Sequence, residues 1–184
     1  KEVDKITKEL KHYKDKLNQY DLLLFHYKFA CMYFGNAQYK ETILWLNEII
    51  NTKDVDLRAD ILSFARILNL ISHYELNHTD LVDYYIKSTY RFLSKKEDLH
   101  LFQTKIIKFL KKLNMVRTDK ELRFAFKDLR DQLVPLANNP YEKRAFMYFD
   151  ILSWLESKIF GKPVQEIIQS KVLKKVVKEN VQNY

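Results

Sequence analysis

The chain holds two glycines and three prolines in 184 residues, and that scarcity limits what it can become. A β-sandwich or barrel reverses direction about every 8–12 residues and draws on these residue types to do so. Stacked helices need only a few reversals. Apolar residues make up 47% and aromatic residues 14%, enough to build a core and incompatible with a disordered chain. The expected fold class is all-α, built from antiparallel helix hairpins.

Hydrophobic spacing places the hairpins. Val3, Ile6, Leu10, Tyr13 and Leu17 form a narrow apolar stripe, which reads as an N-terminal helix over residues 1–19. Asp21 to about Phe34 is apolar enough to be largely buried, and Gly35-Asn36 is the expected exit, since glycine accepts the left-handed conformation at little cost. Its partner runs from about Gln38 to Asn51. A second pair follows as Asp56–Leu76 and Leu81–Leu93, with Thr79 as the expected N-cap. A third is Leu99–Met115 and Glu121–Leu136, capped at Thr118-Asp119. Pro140 is placed to open a helix reaching Phe160, which Gly161 and Pro163 end before a basic amphipathic segment. The expected hairpins cover about 21–51, 56–95, 98–136 and 141–180 of one domain spanning 1–184. Their second helices begin near Tyr39, Thr79 and Asp119, a spacing of about 40 residues, within the range of helical solenoids.

The first hairpin resembles a tetratricopeptide repeat. Phe29 and Ala30 match that family's leucine-like and small pair, Tyr33 the following aromatic, and Tyr39 the aromatic that opens the second helix. Ala37 stands where glycine is usual, Thr42 and Ile49 where alanine is usual, and no proline closes the repeat. Leu70, Ile71 and Tyr74 take the first-helix places in the second unit. The resemblance implies an α-α superhelix that binds peptides or proteins in a concave groove and performs no chemistry.

The charge of +8 is balanced over residues 1–92, so the excess lies in the second half. Lys105, Lys108 and Lys112 recur at helical steps on one helix, as do Arg123, Lys127 and Arg130 on its partner. If the two stripes lie side by side they form a positive band suited to an acidic partner or to phosphates. The plainer reading is two solvated faces, and the preponderance of lysine over arginine favours it over bidentate phosphate recognition. Tyr84 and Tyr85 are candidate partner contacts, because tyrosine offers an apolar ring with a wet hydroxyl.

His73, Glu75, His78, Asp80 and Asp83 form the densest polar constellation. Their spacing matches no known ligand pattern, and turn chemistry with acids near a helix start explains them better. Cys31 reads as a small apolar residue, and Asp54, Asp56 and Asp60 as capping and dipole-complementing acids. No phosphate-binding glycine loop, zinc motif or nucleophile-base pair is present. The expectation is therefore a non-catalytic scaffold with no metal or cofactor, engaging a protein or peptide that is acidic where it meets the basic faces. A basic α-solenoid engaging nucleic acid through its second half is the alternative. No apolar run is long enough to span a membrane, and a lone cysteine suits the cytoplasm. A chain beginning at Lys1 reads as part of a longer protein.

Overall fold

A computed structural model describes residues 17–52, 59–94, 101–113 and 115–182. The expected N-terminal helix and the acids Asp54 and Asp56 lie outside the described residues. Those described form nine helices and no strand: α1 (Gln19–Gly35), α2 (Tyr39–Ile50), α3 (Ala59–Glu75), α4 (Thr79–Ser94), α5 (Leu101–Leu113), α6 (Asp119–Ala137), α7 (Lys143–Tyr148), α8 (Ile151–Phe160) and α9 (Val164–Gln182). They divide into two compact units, one made of the residues up to Phe34 with Gln38–Thr89 and one of Gly35–Ala37 with the residues from Tyr90 onward.

In the first unit, α1 opens on a reciprocal cap. The Asn18 side chain accepts from the Asp21 N–H at 2.9 Å and donates to the Asp21 carboxylate at 2.8 Å, satisfying one of the orphan donors of the first turn. Leu23, Phe29, Ala30 and Phe34 are buried. Phe25 and Met32 remain exposed, so α1 is less enclosed than its composition suggests. Helix α2 folds back so that Trp45 meets His26 at 5.4 Å and Phe29 at 4.9 Å between ring centroids. Thr42 is fully buried, and its hydroxyl is satisfied by donating to the Gln38 carbonyl at 2.9 Å. Helix α3 is the centre of this unit, with a nearly unbroken buried run from Ile61 to His73. Its Ser72 donates back to Leu68 at 2.8 Å, which gives the buried hydroxyl a partner.

The turns between paired helices share one geometry. Ala37 has φ 57° and Asn77 φ 54°, and the amide after each reaches back five residues, Gln38 to Tyr33 and His78 to His73, at 2.9 and 3.1 Å. This is a left-handed residue closing a helix with a 6→1 bond. Gly35 does not have a positive φ and is simply the last helical residue. Asparagine tolerates the left-handed region through its short polar side chain, whereas alanine is strained there. In the same way Thr79 is the first helical residue of α4 rather than its cap, with Leu81 and Val82 donating to His78.

The second unit is organised around α6. Thr118 caps it in a full capping box with Glu121, as expected. Phe126 stands edge-on to Phe109 of α5 at 5.0 Å and to the fully buried Trp154 of α8 at 5.5 Å. The start of α5 is capped from a distance: the Glu142 carboxylate accepts from the N–H groups of Leu101 and Phe102 at 2.8 and 3.4 Å. The helix expected from Pro140 to Phe160 is broken. Phe149 is extended, and the Asp150 side chain accepts from the Ser153 N–H at 3.0 Å and starts α8 afresh. Pro140 lies in the preceding turn. Gly161 closes α8 with φ 64° and a Lys162 to Ser157 bond of 3.1 Å, and α9 packs back on α8, where Lys171 bonds Ser153 and Glu156 at 2.9 and 3.0 Å.

One buried group in this unit is at odds with its surroundings. Gln103 is 1% exposed, and neither of its amide atoms has a hydrogen-bond partner. Burying an unmatched amide costs about 1–3 kcal/mol, so Gln103→Met, similar in shape, should raise the free energy of urea unfolding by about 1 kcal/mol or more. The turn geometry gives a second expectation. Ala37→Gly should stabilise by about 0.5–1 kcal/mol by relieving the left-handed strain. Gly161→Ala should destabilise by about 1 kcal/mol through the backbone alone, since an added Cβ would meet nothing within 4 Å. A loss of stability in Ala37→Gly would contradict this account of the turns.

Candidate functional site

The site is best built from the 40-residue correspondence that the two turns establish. Counting back from Ala37 and Asn77 places Asn69, Leu70 and His73 opposite Phe29, Ala30 and Tyr33, one residue earlier than the aromatic Tyr74 suggests in the sequence. The same count sets Arg66 opposite His26, Tyr85 opposite Trp45 and Thr89 opposite Ile49. In the first hairpin His26, Phe29 and Trp45 make an aromatic cluster. In the second, the corresponding Arg66, Asn69 and Tyr85 border an open recess instead.

That recess has a volume of about 420 Å³. Helix α3 supplies Arg66 and Asn69, and α4 supplies Tyr84, Tyr85, Ser88 and Thr89. Asn47, Ile50 and Asn51 of α2 complete it. Eight of these nine residues carry polar groups, and among the described residues no carboxylate borders the space. Asn69 is 2% exposed and its Nδ2 has no hydrogen-bond partner. Thr89 is 3% exposed. The Arg66 Nε is enclosed, and burial lowers the guanidinium pKa from its ordinary value.

A supporting layer fixes Tyr85. Its ring stacks on His73 with centroids 4.3 Å apart, and His73 Nδ1 lies 3.0 Å from His78 Nδ1. Two ring nitrogens at that distance share a single proton, one donating and one accepting. Burial, and secondarily His78, pushes the His73 pKa down to about 4. These two histidines meet as a ring pair. No group of three or more His, Cys, Asp or Glu side chains among the described residues is arranged to hold a metal.

Other titratable groups are also held in their neutral forms. Burial pushes the Cys31 thiol up to about 12, with a Tyr27 hydrogen bond opposing, which removes the thiolate a nucleophile requires. Burial and then Glu75 raise the Tyr39 and Tyr74 hydroxyls, Tyr74 to about 12.

The basic residues are dispersed within the second unit. Lys108, Lys112, Arg123 and Lys127 are exposed. Lys105 donates to Gln132 at 2.9 Å, which itself donates to Asp128 at 2.8 Å. Arg130 pairs with the adjacent Asp131 at 2.6 Å. Gln132 and Arg123 are nine residues apart, two and a half turns, and so leave α6 on opposite sides. Lys105 therefore meets the Gln132 side, and its stripe does not adjoin the Arg123 stripe. Of the candidate tyrosines, Tyr84 is 65% exposed and Tyr85 is half-buried; both border the recess. Arg66 and Asn69 were missed in the sequence. Their signal was present as the two large polar residues in the otherwise apolar and serine run ILSFARILNLIS, legible once the hairpins are aligned at forty residues.

The His73 environment has a pH consequence. Its folded pKa lies below the unfolded value of about 6.5, so the unfolded chain binds the extra proton and stability falls as pH drops from about 6.5 toward about 4. An NMR titration of the His73 ring should find it neutral at about pH 5.5, where a free imidazole is mostly charged. A midpoint near 6.5 would contradict the burial argument.

No helix among the described residues is long and apolar enough to cross a membrane. No family model, curated protein or solved structure matches the chain, so the use of the site has to be read from its own side chains.

Proposed function

We propose that the chain is a non-catalytic interaction module of stacked helix hairpins, comparable in kind to tetratricopeptide-repeat scaffolds, that binds a protein or peptide partner. The observation that carries this reading is the polar recess on α2, α3 and α4. It is concave, bordered by neutral donors and acceptors with one cation, and rimmed by an exposed tyrosine. Such a mixture of an aromatic rim and buried hydrogen-bonding groups suits recognition of another chain. The thiol and phenol pKa values support a binding role over a catalytic one, because each departs from the range useful at neutral pH.

Nucleic-acid binding through the second half is the competing reading. The separation of the Lys105 and Arg123 stripes, and the Arg130–Asp131 pair, weaken the continuous positive band it needs.

A photo-crosslinking residue in place of Tyr84 should give a discrete protein adduct in cells, and the same residue at exposed Phe124 in the second unit should not give that adduct. Absence of any protein adduct at position 84 would overturn the proposal. A low-salt gel shift with single-stranded RNA and duplex DNA tests the competitor. Binding that falls steeply with salt, and is lost when Lys105, Lys108, Arg123 and Lys127 are reversed to Glu, would favour it.

A further inference from the structure

We propose that the recess bordered by α2, α3 and α4 holds the main chain of an extended, uncharged peptide segment of the partner, with Asn47 and Asn51 pairing to its backbone amides. The inference rests on the interaction-module reading and names how the module grips its partner.

The groups that carry it stand on the two walls. Asn47 lies on α2 and Asn51 just past its end, Tyr84 and Ser88 lie on α4, and all four border the open space. Among the described residues the side chains of Asn47, Asn51 and Ser88 make no hydrogen bond, and none is enclosed as the Asn69 amide is. Tyr84 is 65% exposed. Arg66 and Asn69 take no part in the binding: Arg66 already has a partner within the protein, and the Asn69 Nδ2 is shut off from the recess.

Spacing selects the class of ligand. The Asn51 N–H bonds to the Asn47 carbonyl at 3.0 Å, so the two residues are still related by a helical step of four, about 6 Å along the axis. Tyr84 and Ser88 are separated by the same step. In an extended chain alternate residues face the same edge, about 6.6–6.8 Å apart. A carboxamide offers a donor and an acceptor side by side, the complement of the N–H and C=O that one extended residue turns to an edge. The asparagine pair therefore matches two alternate residues on one edge, while the Tyr84 and Ser88 hydroxyls face the other. A helical segment has its amides bonded internally and would leave both walls unmatched.

Charge and rigidity agree with this choice. No carboxylate borders the space among the described residues, and the wall groups are neutral, as backbone amides are. The volume of about 420 Å³ falls in the lower range of small-ligand pockets and has room for a short stretch of chain. Tyr84 meets Tyr85 edge-on at 5.5 Å, and Tyr85 is stacked on His73, so the α4 wall is organised before a ligand arrives, which lowers the cost of binding.

The test is an NMR titration of the ¹⁵N-labelled chain, following the side-chain amides of Asn47 and Asn51. The probe is acetyl-Thr-Val-Thr-Val-Thr-amide at millimolar concentrations, uncharged and biased to an extended form by its β-branched residues. Because the contacts are to main chain, an uncharged extended probe suffices. Both resonances should shift saturably. Two N-methylated forms, one altered at the valines and one at the threonines, remove backbone donors from one edge or the other, and each should bind at least about tenfold more weakly. The paired substitution Asn47→Ala with Asn51→Ala, read at the Ser88 backbone amide, should weaken the parent peptide at least about tenfold and leave the spectrum elsewhere unchanged.

Failure of the parent peptide to shift either resonance would overturn the inference. So would equal binding of the N-methylated forms, tighter binding of maltose or of a single-stranded oligonucleotide at these resonances, or indifference to the paired substitution. A protein adduct at position 84 that persists when the peptide fails would remove the main-chain mode and leave the interaction-module reading standing.

Discussion

Much of the first unit depends on how its helices reverse. A left-handed residue and a 6→1 backbone bond end α1 and α3 alike, at Ala37 and Asn77. The bond satisfies a carbonyl that the helix end would otherwise leave open and fixes where the next helix starts. With the turns identical, the first residues of α2 and α4 are Tyr39 and Thr79, and each side chain of one hairpin acquires a counterpart in the other. A core of large side chains tolerates substitutions at such positions only if volume and hydrogen bonding are conserved. Where Phe29 becomes Asn69 and Trp45 becomes Tyr85, neither is conserved, and the result is a recess.

Removal from water is the largest cause of the shifted protonation of several groups in the first unit. His73 is driven toward its neutral form and Cys31 toward its thiol, in both cases chiefly by burial. Arg66 keeps its proton at physiological pH, although burial lowers its pKa. In the second unit Arg130 pairs with Asp131 and Lys171 with Glu156. These are partly solvated pairs and add little to stability.

The all-helical class was legible from glycine and proline scarcity, and the starts of α2, α4 and α6 from their spacing. Thr118 was legible as a cap because a Glu three residues on completes the box. Other features were hidden for physical reasons. Gly35 drew attention as the residue best suited to a left-handed turn, yet the backbone bond to Tyr33 places that conformation at Ala37. The break at Phe149 depends on Asp150 competing for the Ser153 N–H, a local bond that apolar periodicity does not register. Lys105 and Arg123 both keep helical spacing, but only the contact with Gln132 fixes which side of α6 each meets. The recess was invisible because its defining residue, Asn69, reads as an interruption of a core helix until its counterpart Phe29 is identified.

The carboxylate of Glu142 at the start of α5 has a dynamic meaning. Helix ends ordinarily open independently of the rest of a fold. Here the N–H groups of Leu101 and Phe102 are held by a residue some forty positions further along the chain. Fraying at this end therefore requires the segment between α6 and α7 to let go as well, which converts two local openings into a single cooperative one. Hydrogen exchange at the first turn of α5 would then report on the closure of a distant loop.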